Sequence, residues 1–337
     1  MNLGILLTGD QITLEETNGF ARDAEEAGLD TIWVNEFIRD AFVPLTAIAL
    51  STSRIRIGAA VVLAMARSPV LTELAAASVD ELSHGRFVLG VGPGPKDYNE
   101  NWHAVPFRPA AAYVKEYAEV LRLMWTAHSG KTINYAGKHL QITDYQRHMR
   151  PLREQIPVHF GATMPQNLRA AGSVADGLIL APVHTPAYLT DVVQPNLEAG
   201  RRRGTRAGEK FELSGMVICA SDDDRHTARQ WTKGQIAFYC TLAYYDIVLE
   251  RAGFSAETAR IREAWVRGDR MAMVAGVSEA MVDTFSIAGT PSECRTALKR
   301  YAGVFDEVIL YPPSFGMSRE SVVKNYRALV RTFRKPD

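Results

Sequence analysis

The chain alternates between short apolar runs and longer stretches with helical periodicity from one end to the other. The segment 54–94 shows the repeating unit: an apolar run over 54–62, a helix beginning at Ser68 and Pro69, and a second apolar run over 86–91. An apolar run without polar alternation predicts a strand buried on both faces. A polar residue before proline predicts a helix start. We therefore predict parallel strand–helix–strand units.

The helix of this unit carries Leu71, Leu74, Val79 and Leu82 at helical spacing. Such spacing is typical of an apolar helix face that packs on a core. Gly85 follows at the position where a left-handed C-terminal cap belongs.

The same alternation continues through the chain and gives eight strand–helix repeats. The predicted strands are 3–8, 31–34, 54–62, 86–91, 157–161, 177–181, 211–220 and 306–310. Eight repeats favour a closed (β/α)8 TIM barrel over an open doubly wound sheet. We predict a single barrel domain over 1–337, with a helical insertion at about 222–285 after strand seven.

The insertion includes the aromatic-rich stretch 238–245, with Tyr239, Tyr244 and Tyr245. It leaves the barrel at the C-terminal ends of the strands, where connecting loops build active sites. Two interpretations stay open. The aromatic residues bury themselves in a helical bundle or against another subunit, or they form a wall over a substrate pocket.

Charge and composition exclude several classes of function. The 337 residues carry 38 basic and 38 acidic side chains, so we expect no nucleic-acid-binding face. The chain has no apolar run near the roughly 18–20 residues of a membrane span. Its first residues lack the basic leader of a signal peptide, and its three cysteines are odd in number and lack metal spacing. We expect a cytoplasmic protein with reduced cysteines.

The residues that follow each predicted strand offer few ionisable groups. No histidine pair with metal spacing, no carboxylate cluster and no Gly-x-Ser-x-Gly motif occurs there, so we expect no metal site and no serine hydrolase. An apolar mouth with glycine turns suits hydride transfer, in which a cofactor supplies the reactive atom.

Glu36 is the candidate catalytic acid. It follows strand two beside Trp33, Val34 and Phe37, where partial burial would raise its pKa and make it a proton donor. The alternative is a structural carboxylate paired with Arg39.

Two small-residue turns are candidate cofactor contacts. Gly92-Pro93-Gly94 follows strand four, although this sequence also occurs in plain turns. The second turn follows strand five, and Pro165 then opens a helix whose free N–H groups attract an anion. Its alternative is an ordinary capped loop.

Four segments carry a resemblance to a known family: AEEAGLDTIWVNE, AAASVDELSHGRFVLGVGPG, IPVHFGATMPQNLRAAGSVADGLILAP and AGTPSECRTALKRYAGVFDEVIL. Together they resemble the bacterial-luciferase-like superfamily of flavin- and deazaflavin-dependent oxidoreductases. The resemblance covers nearly the whole chain and implies a TIM barrel that moves a hydride between its cofactor and a small organic substrate.

The resemblance also implies roles for particular residues. The cofactor phosphate would lie at Gly161, Ala162, Thr163 and Met164, and the ring or ribityl chain at Gly92, Pro93 and Gly94. A cis peptide bond between Ala60 and Val61 would form a bulge behind the ring. Independently of the resemblance, His184 follows predicted strand six, where it is either a further cofactor contact or a structural histidine. Where the family often has Asp-His, this chain has Glu36-Phe37, so no imidazole is available there.

The four segments read most like coenzyme F420-dependent reductases and dehydrogenases, which favours F420 over FMN. An FMN enzyme would more often be a monooxygenase supplied by a separate reductase. Similar proteins are commonly dimers or larger, so we expect a homo-oligomer. A non-catalytic flavin-binding barrel is the alternative of a different class.

Overall fold

The computed structural model describes residues 1–336. Eight parallel strands form the barrel. Seven of them lie within one residue of their predicted bounds, and the third, predicted over 54–62, spans only 56–59. The eight strands are β1 (Asn2–Leu7), β2 (Thr31–Val34), β3 (Arg56–Ala59), β4 (Phe87–Gly92), β5 (Val158–Gly161), β6 (Gly177–Leu180), β7 (Glu212–Ser221) and β8 (Glu307–Tyr311).

Helices follow the strands. They are α1 (Leu14–Glu26), α2 (Phe42–Ser51), α3 (Pro69–Leu82), α4 (Lys96–Asn101), α5 (Ala110–Trp125), α6 (Pro165–Val174), α7 (Pro186–Tyr188), α8 (Gln194–Arg201), α9 (Arg225–Cys240), α10 (Asp246–Arg251), α11 (Ser255–Val266), α12 (Arg270–Ala275), α13 (Glu279–Phe285), α14 (Pro291–Leu298) and α15 (Arg319–Thr332). Short 3-10 segments at Ala243–Tyr245 and Lys299–Tyr301 complete the helical elements.

The strands pair in the order β8-β1-β2-β3-β4-β5-β6-β7, and β7 also pairs with β8. The fold is therefore the predicted (β/α)8 barrel. Such a barrel places its catalytic residues at the C-terminal ends of the strands.

The chain divides into two compact units. One comprises Met1–Thr31, Leu180–Val192 and the chain from Ser214 onward. In it, β1 and β7 both pair with β8 in parallel. α15 packs beside α14 and α1, and the Tyr326 ring stacks on Phe20 at 5.0 Å.

The other unit comprises Ile32–Ile179 and Val193–Leu213. In it, β4 pairs with β3 on one side and β5 on the other, and β5 pairs with β6. A hairpin of Ile133–Ala136 and Gln141–Tyr145 lies against the helices α3 and α5.

The predicted ends of α3 are confirmed. Ser68 caps the helix before Pro69, and Gly85 after the helix has a φ of 80°. Two other helices begin with capping boxes, formed by Thr13 with Glu16 and by Thr290 with Glu293.

One local expectation was wrong. Leu71, Leu74 and Leu82 are exposed, because α3 instead turns Thr72, Glu73, Ala76 and Ala77 inward.

Two further elements were not predicted. A π-helical segment at Leu189–Val193 joins α7 to α8. A short strand, Ser286–Gly289, lies at the end of the helical insertion and extends the sheet beside β7.

Within residues 1–336, no helix is both long and apolar enough to cross a membrane.

Candidate cofactor site

The segment after β3 forms a bulge with a cis peptide bond between Ala60 and Val61, as predicted. The Ala60 amide donates a hydrogen bond to the Val34 carbonyl at the end of β2, at 2.7 Å. After the short strand Val62–Leu63, the Ala64 amide donates to the Gly92 carbonyl at the end of β4, at 2.9 Å. The bulge is therefore tied to both neighbouring strand ends.

The Val61 side chain lies against the glycines of two of the predicted contact turns. A Cβ atom placed on Gly92 would lie 2.6 Å from Cγ2 of Val61, and one on Gly161 would lie 2.9 Å from Cγ1. Both separations are shorter than any van der Waals contact, so neither position accepts a side chain unless Val61 moves. The bulge and the ends of β4 and β5 thus pack together as one surface of small residues, in which the two glycines make room for the Val61 side chain.

The turn after β4 is held by a residue that the sequence did not single out. Asn99 is fully buried, and its Nδ2 donates to the carbonyls of Pro93 and Pro95, both at 2.9 Å. Gly94 has a φ of 69°, in the region that favours glycine. This side-chain amide fixes the backbone of Gly92-Pro93-Gly94.

The loop after β5 runs from Gly161 into the first turn of α6. Ala162 and Thr163 are buried, and Met164 is the N-cap residue but makes no side-chain capping bond. Pro165 occupies the first helical position, so it has no N–H to satisfy. The following N–H groups of the first turn receive no cap from a side chain at this position, which suits them to a bound anion.

Glu36 is placed against the bulge by three hydrogen bonds. Its backbone N–H donates to the Val61 carbonyl at 3.2 Å, and its Oε2 accepts from the Leu63 amide at 2.7 Å. Its Oε1 forms an ion pair with Arg67 at 3.1 Å, and the same guanidinium also contacts Asp40. Glu36 therefore holds the segment that directly follows the cis bond, at Val61 and at Leu63.

The carboxyl group of Glu36 has a raised pKa. Burial is the largest cause, and the nearby Asp40 adds to it, while the Leu63 amide and the Arg67 guanidinium act in the opposite direction. A carboxyl group with a raised pKa retains its proton closer to neutral pH, as a proton donor must. Arg67 was not recognised from the sequence, because it lies in the loop before α3 and belongs to no motif.

His184 is buried, and its Nε2 lies 2.9 Å from the Met216 carbonyl. Its ring meets Tyr301 and Phe305 edge to face, and burial lowers its pKa to about 4. These contacts favour the structural role that the sequence left open. Its role as a cofactor contact stays a prediction.

The aromatic stretch of the insertion packs at the end of β8. The Tyr239 ring meets Tyr311, the last residue of β8, at 6.2 Å between centroids, and it meets Tyr245 at 5.3 Å. Gln235 of α9 accepts hydrogen bonds from the amides of Ser314 and Phe315, which follow β8. α9, the first helix of the insertion, is thus fixed to the end of β8, on the side where barrel enzymes place their sites.

Residues 1–336 contain no group of three or more His, Cys, Asp or Glu side chains that could hold a metal ion. Cys219, Cys240 and Cys294 are buried free thiols, and burial raises the pKa of each. None of these three thiols has the environment of a reactive nucleophile.

Comparison with known proteins relates the chain to one family. Residues 1–307 match the profile of the family described as luciferase-like monooxygenase. The chain is 28% identical over 300 residues to the 5,10-methylenetetrahydromethanopterin reductase of Archaeoglobus fulgidus, covering 87% of each chain.

Two solved structures share the fold. The coenzyme F420-dependent tetrahydromethanopterin reductase of Methanopyrus kandleri superposes with a TM-score of 0.82, at 24% identity, over 98% of this chain and 99% of its own. An F420-dependent secondary alcohol dehydrogenase, solved with an F420–acetone adduct, superposes with a TM-score of 0.74, at 16% identity, over 99% of each chain. At these identities the two structures support the fold alone.

Proposed function

The chain belongs to the luciferase-like monooxygenase family, and within it we propose that the protein is an oxidoreductase that uses coenzyme F420. The observation that carries the proposal is the small-residue surface on which Val61 lies against Gly92 and Gly161, directly at the cis bond. Its relative from Archaeoglobus fulgidus is named as a reductase, and the two solved structures are named as F420-dependent enzymes.

The proposed cofactor would bind at this surface, which is formed by backbone and small side chains. Gly92 and Gly161 leave the space that the Val61 side chain occupies beside the cis bond. We assign Ala60 and Val61 to the back of the ring, and Gly92, Pro93 and Gly94 to its edge or its ribityl chain. Gly161, Ala162, Thr163 and Met164 would bind the phosphate at the start of α6.

When bound, F420 supplies a ring that exchanges a hydride with the substrate. The protein contributes position, exclusion of water and a proton. Glu36 is the proposed holder of that proton at Oε1 or Oε2, since its pKa is raised and its position is fixed by Leu63 and Arg67. The Val61 side chain would support one face of the bound ring.

The proposed substrate is a small organic molecule, and the insertion would form one wall of its pocket. The support is the packing of Tyr239 on Tyr311, at the end of β8. A bundle with no contact to a strand end would have favoured the structural interpretation.

We also propose a homo-oligomer. Its interface would lie on two barrel helices rather than on the aromatic stretch of the insertion. The adjacent helices α2 and α3 expose five aliphatic side chains: Val43, Leu50, Leu71, Leu74 and Leu82. Apolar side chains on neighbouring exposed helices are typical of a subunit interface.

Turnover tests the proposal directly. Purified protein is mixed with reduced F420 and, separately, with oxidised F420, and a panel of small carbonyl, imine and alcohol substrates is added. The change in deazaflavin absorbance measures hydride transfer. We expect turnover with at least one class of substrate, and binding of F420 without turnover on any substrate would favour the non-catalytic barrel instead.

A further inference from the structure

Three aromatic rings stack beside the proposed cofactor site, and no role has yet been assigned to them. We call Phe37, Tyr98 and Trp102 the aromatic platform. The rings of Tyr98 and Trp102 lie 4.2 Å apart at an interplanar angle of 8°. The Phe37 ring lies 5.0 Å from Tyr98 and 5.6 Å from Trp102, at 19° and 22°.

The platform is attached to the site at two points. Phe37 follows Glu36 directly, so the backbone that orients the carboxylate also positions the ring. Tyr98 and Trp102 lie on and just after α4, and the Trp102 amide donates to the Tyr98 carbonyl at 3.0 Å. α4 is held to the Gly92-Pro93-Gly94 turn by the hydrogen bonds of Asn99.

Two of the three platform rings are open to solvent. Trp102 is 60% exposed and Phe37 is 39% exposed. Exposed aromatic rings cost hydration free energy unless a partner covers them, and nearly parallel rings present a flat π-face. A planar, unsaturated ring is the partner whose shape and quadrupole fit that face.

We propose that the aromatic platform binds a planar aromatic or heteroaromatic ring of the substrate, and so selects substrates of that class. The inference rests on the proposed function, because it assigns the small-residue surface at Val61 to the cofactor. The cofactor surface consists of backbone and small aliphatic groups, whereas the platform consists of aromatic rings from the segment after β2 and from α4 and its C-terminal end. The two surfaces would therefore hold different molecules.

The test uses two ligands that share one carbon skeleton: naphthoate, which is planar, and its fully saturated analogue decahydronaphthoate. Their binding to the protein is measured by calorimetry with F420 present at saturation. The variants are Trp102→Leu, which keeps an apolar side chain without a π-face, and Trp102→Phe, which keeps a ring. The affinity of each variant for F420 is measured separately.

We expect Trp102→Leu to weaken naphthoate binding about three- to tenfold, the range of one aromatic stacking contact. Trp102→Phe should retain most of the affinity, and neither variant should change decahydronaphthoate or F420 binding. Equal naphthoate affinity in wild type and Trp102→Leu would overturn the platform, as would an equal loss for both ligands or no naphthoate binding to the wild type.

Failure of the proposed function gives a different result. If the wild type does not bind F420, the cofactor assignment is wrong, and the naphthoate comparison is then made on the protein alone. The same pattern of loss and retention at Trp102 would still support a site for planar rings.

Discussion

Replacing Glu36 by glutamine separates its chemical role from its structural one. The change keeps the size of the side chain but removes its ionisable proton. If Glu36 donates the proton, the kcat of the F420-linked reaction should fall by roughly 10²–10⁴. The pH profile gives the sign: the protonated fraction of Glu36 falls as pH rises through its raised pKa, so the wild-type kcat should fall in the same range. Glu36→Gln should lack that limb.

The structural cost follows from the hydrogen bonds of the carboxylate. The glutamine carbonyl can accept from the Leu63 amide at 2.7 Å, but its NH₂ group then faces the Arg67 guanidinium, which retains Asp40. Losing one hydrogen bond to a charged group costs about 1.5–3 kcal/mol. The ion pair that Arg67 keeps with Asp40 reduces that loss. We expect urea unfolding to show a destabilisation of about 1–2 kcal/mol.

Asp40→Asn is the matched control, because it removes the other carboxylate from Arg67 and leaves the Leu63 contact intact. Steady-state rates at saturating F420 and substrate, from about pH 5 to about pH 9, are compared for the three proteins. An unchanged kcat and pH profile in Glu36→Gln would refute the proton-donor role. Equal losses of kcat in the two variants would mean that the effect comes from removing a carboxylate partner of Arg67 and not from the proton of Glu36.

Four further predictions concern the cofactor, the insertion and the oligomer. Thr163→Glu should weaken F420 binding more than tenfold in a direct titration, because it places a negative charge where the phosphate would bind; an unchanged affinity would remove the phosphate from this loop. Gly161→Ala should also weaken F420 binding, since its Cβ displaces Val61, whereas Gly19→Ala, with no atom within 4 Å of its Cβ, should bind as the wild type does. Tyr239→Ala should change relative kcat/KM among substrates while F420 affinity stays within a few-fold, and a uniform loss would make the tyrosine structural. Leu74→Glu should yield a monomer in sedimentation without loss of thermal stability, because the residue is exposed in the chain alone; an unchanged oligomer would place the interface elsewhere.

The fold was largely predictable because each barrel strand is an apolar run bounded by helix signals. The pattern placed seven of the eight strands within one residue of their bounds, and the start of α3 at Ser68 and Pro69 was also correct. The exposed leucines of α3 show what helical spacing does not predict. Helical spacing shows that Leu71 and Leu74 share a face, but it does not distinguish a face that packs on the core from one that is free for another subunit.

One feature of the site followed from the family resemblance rather than from local sequence signals. The cis bond at Ala60–Val61, implied by the family resemblance, is present, and the structure brings it to Gly92 and Gly161. The assignment of these residues to a cofactor stays a prediction.

The partners that orient the site were not predictable, since they depend on contacts between segments distant in the sequence. Arg67 reaches Glu36 from the next loop, and Asn99 reaches back to Pro93. The aromatic platform joins Phe37 to Trp102 across a long sequence separation, and neither belongs to a recognisable motif. These contacts depend on tertiary packing rather than on local propensity.

Titration of the purified protein with F420 and, separately, with FMN tests whether the protein uses F420 as its cofactor. Calorimetry or equilibrium dialysis gives the affinity for each cofactor without any knowledge of the substrate. We expect one F420 site per chain and at least tenfold weaker binding of FMN. Tight binding of FMN with none of F420 would contradict the proposal and identify a flavin enzyme of the same family.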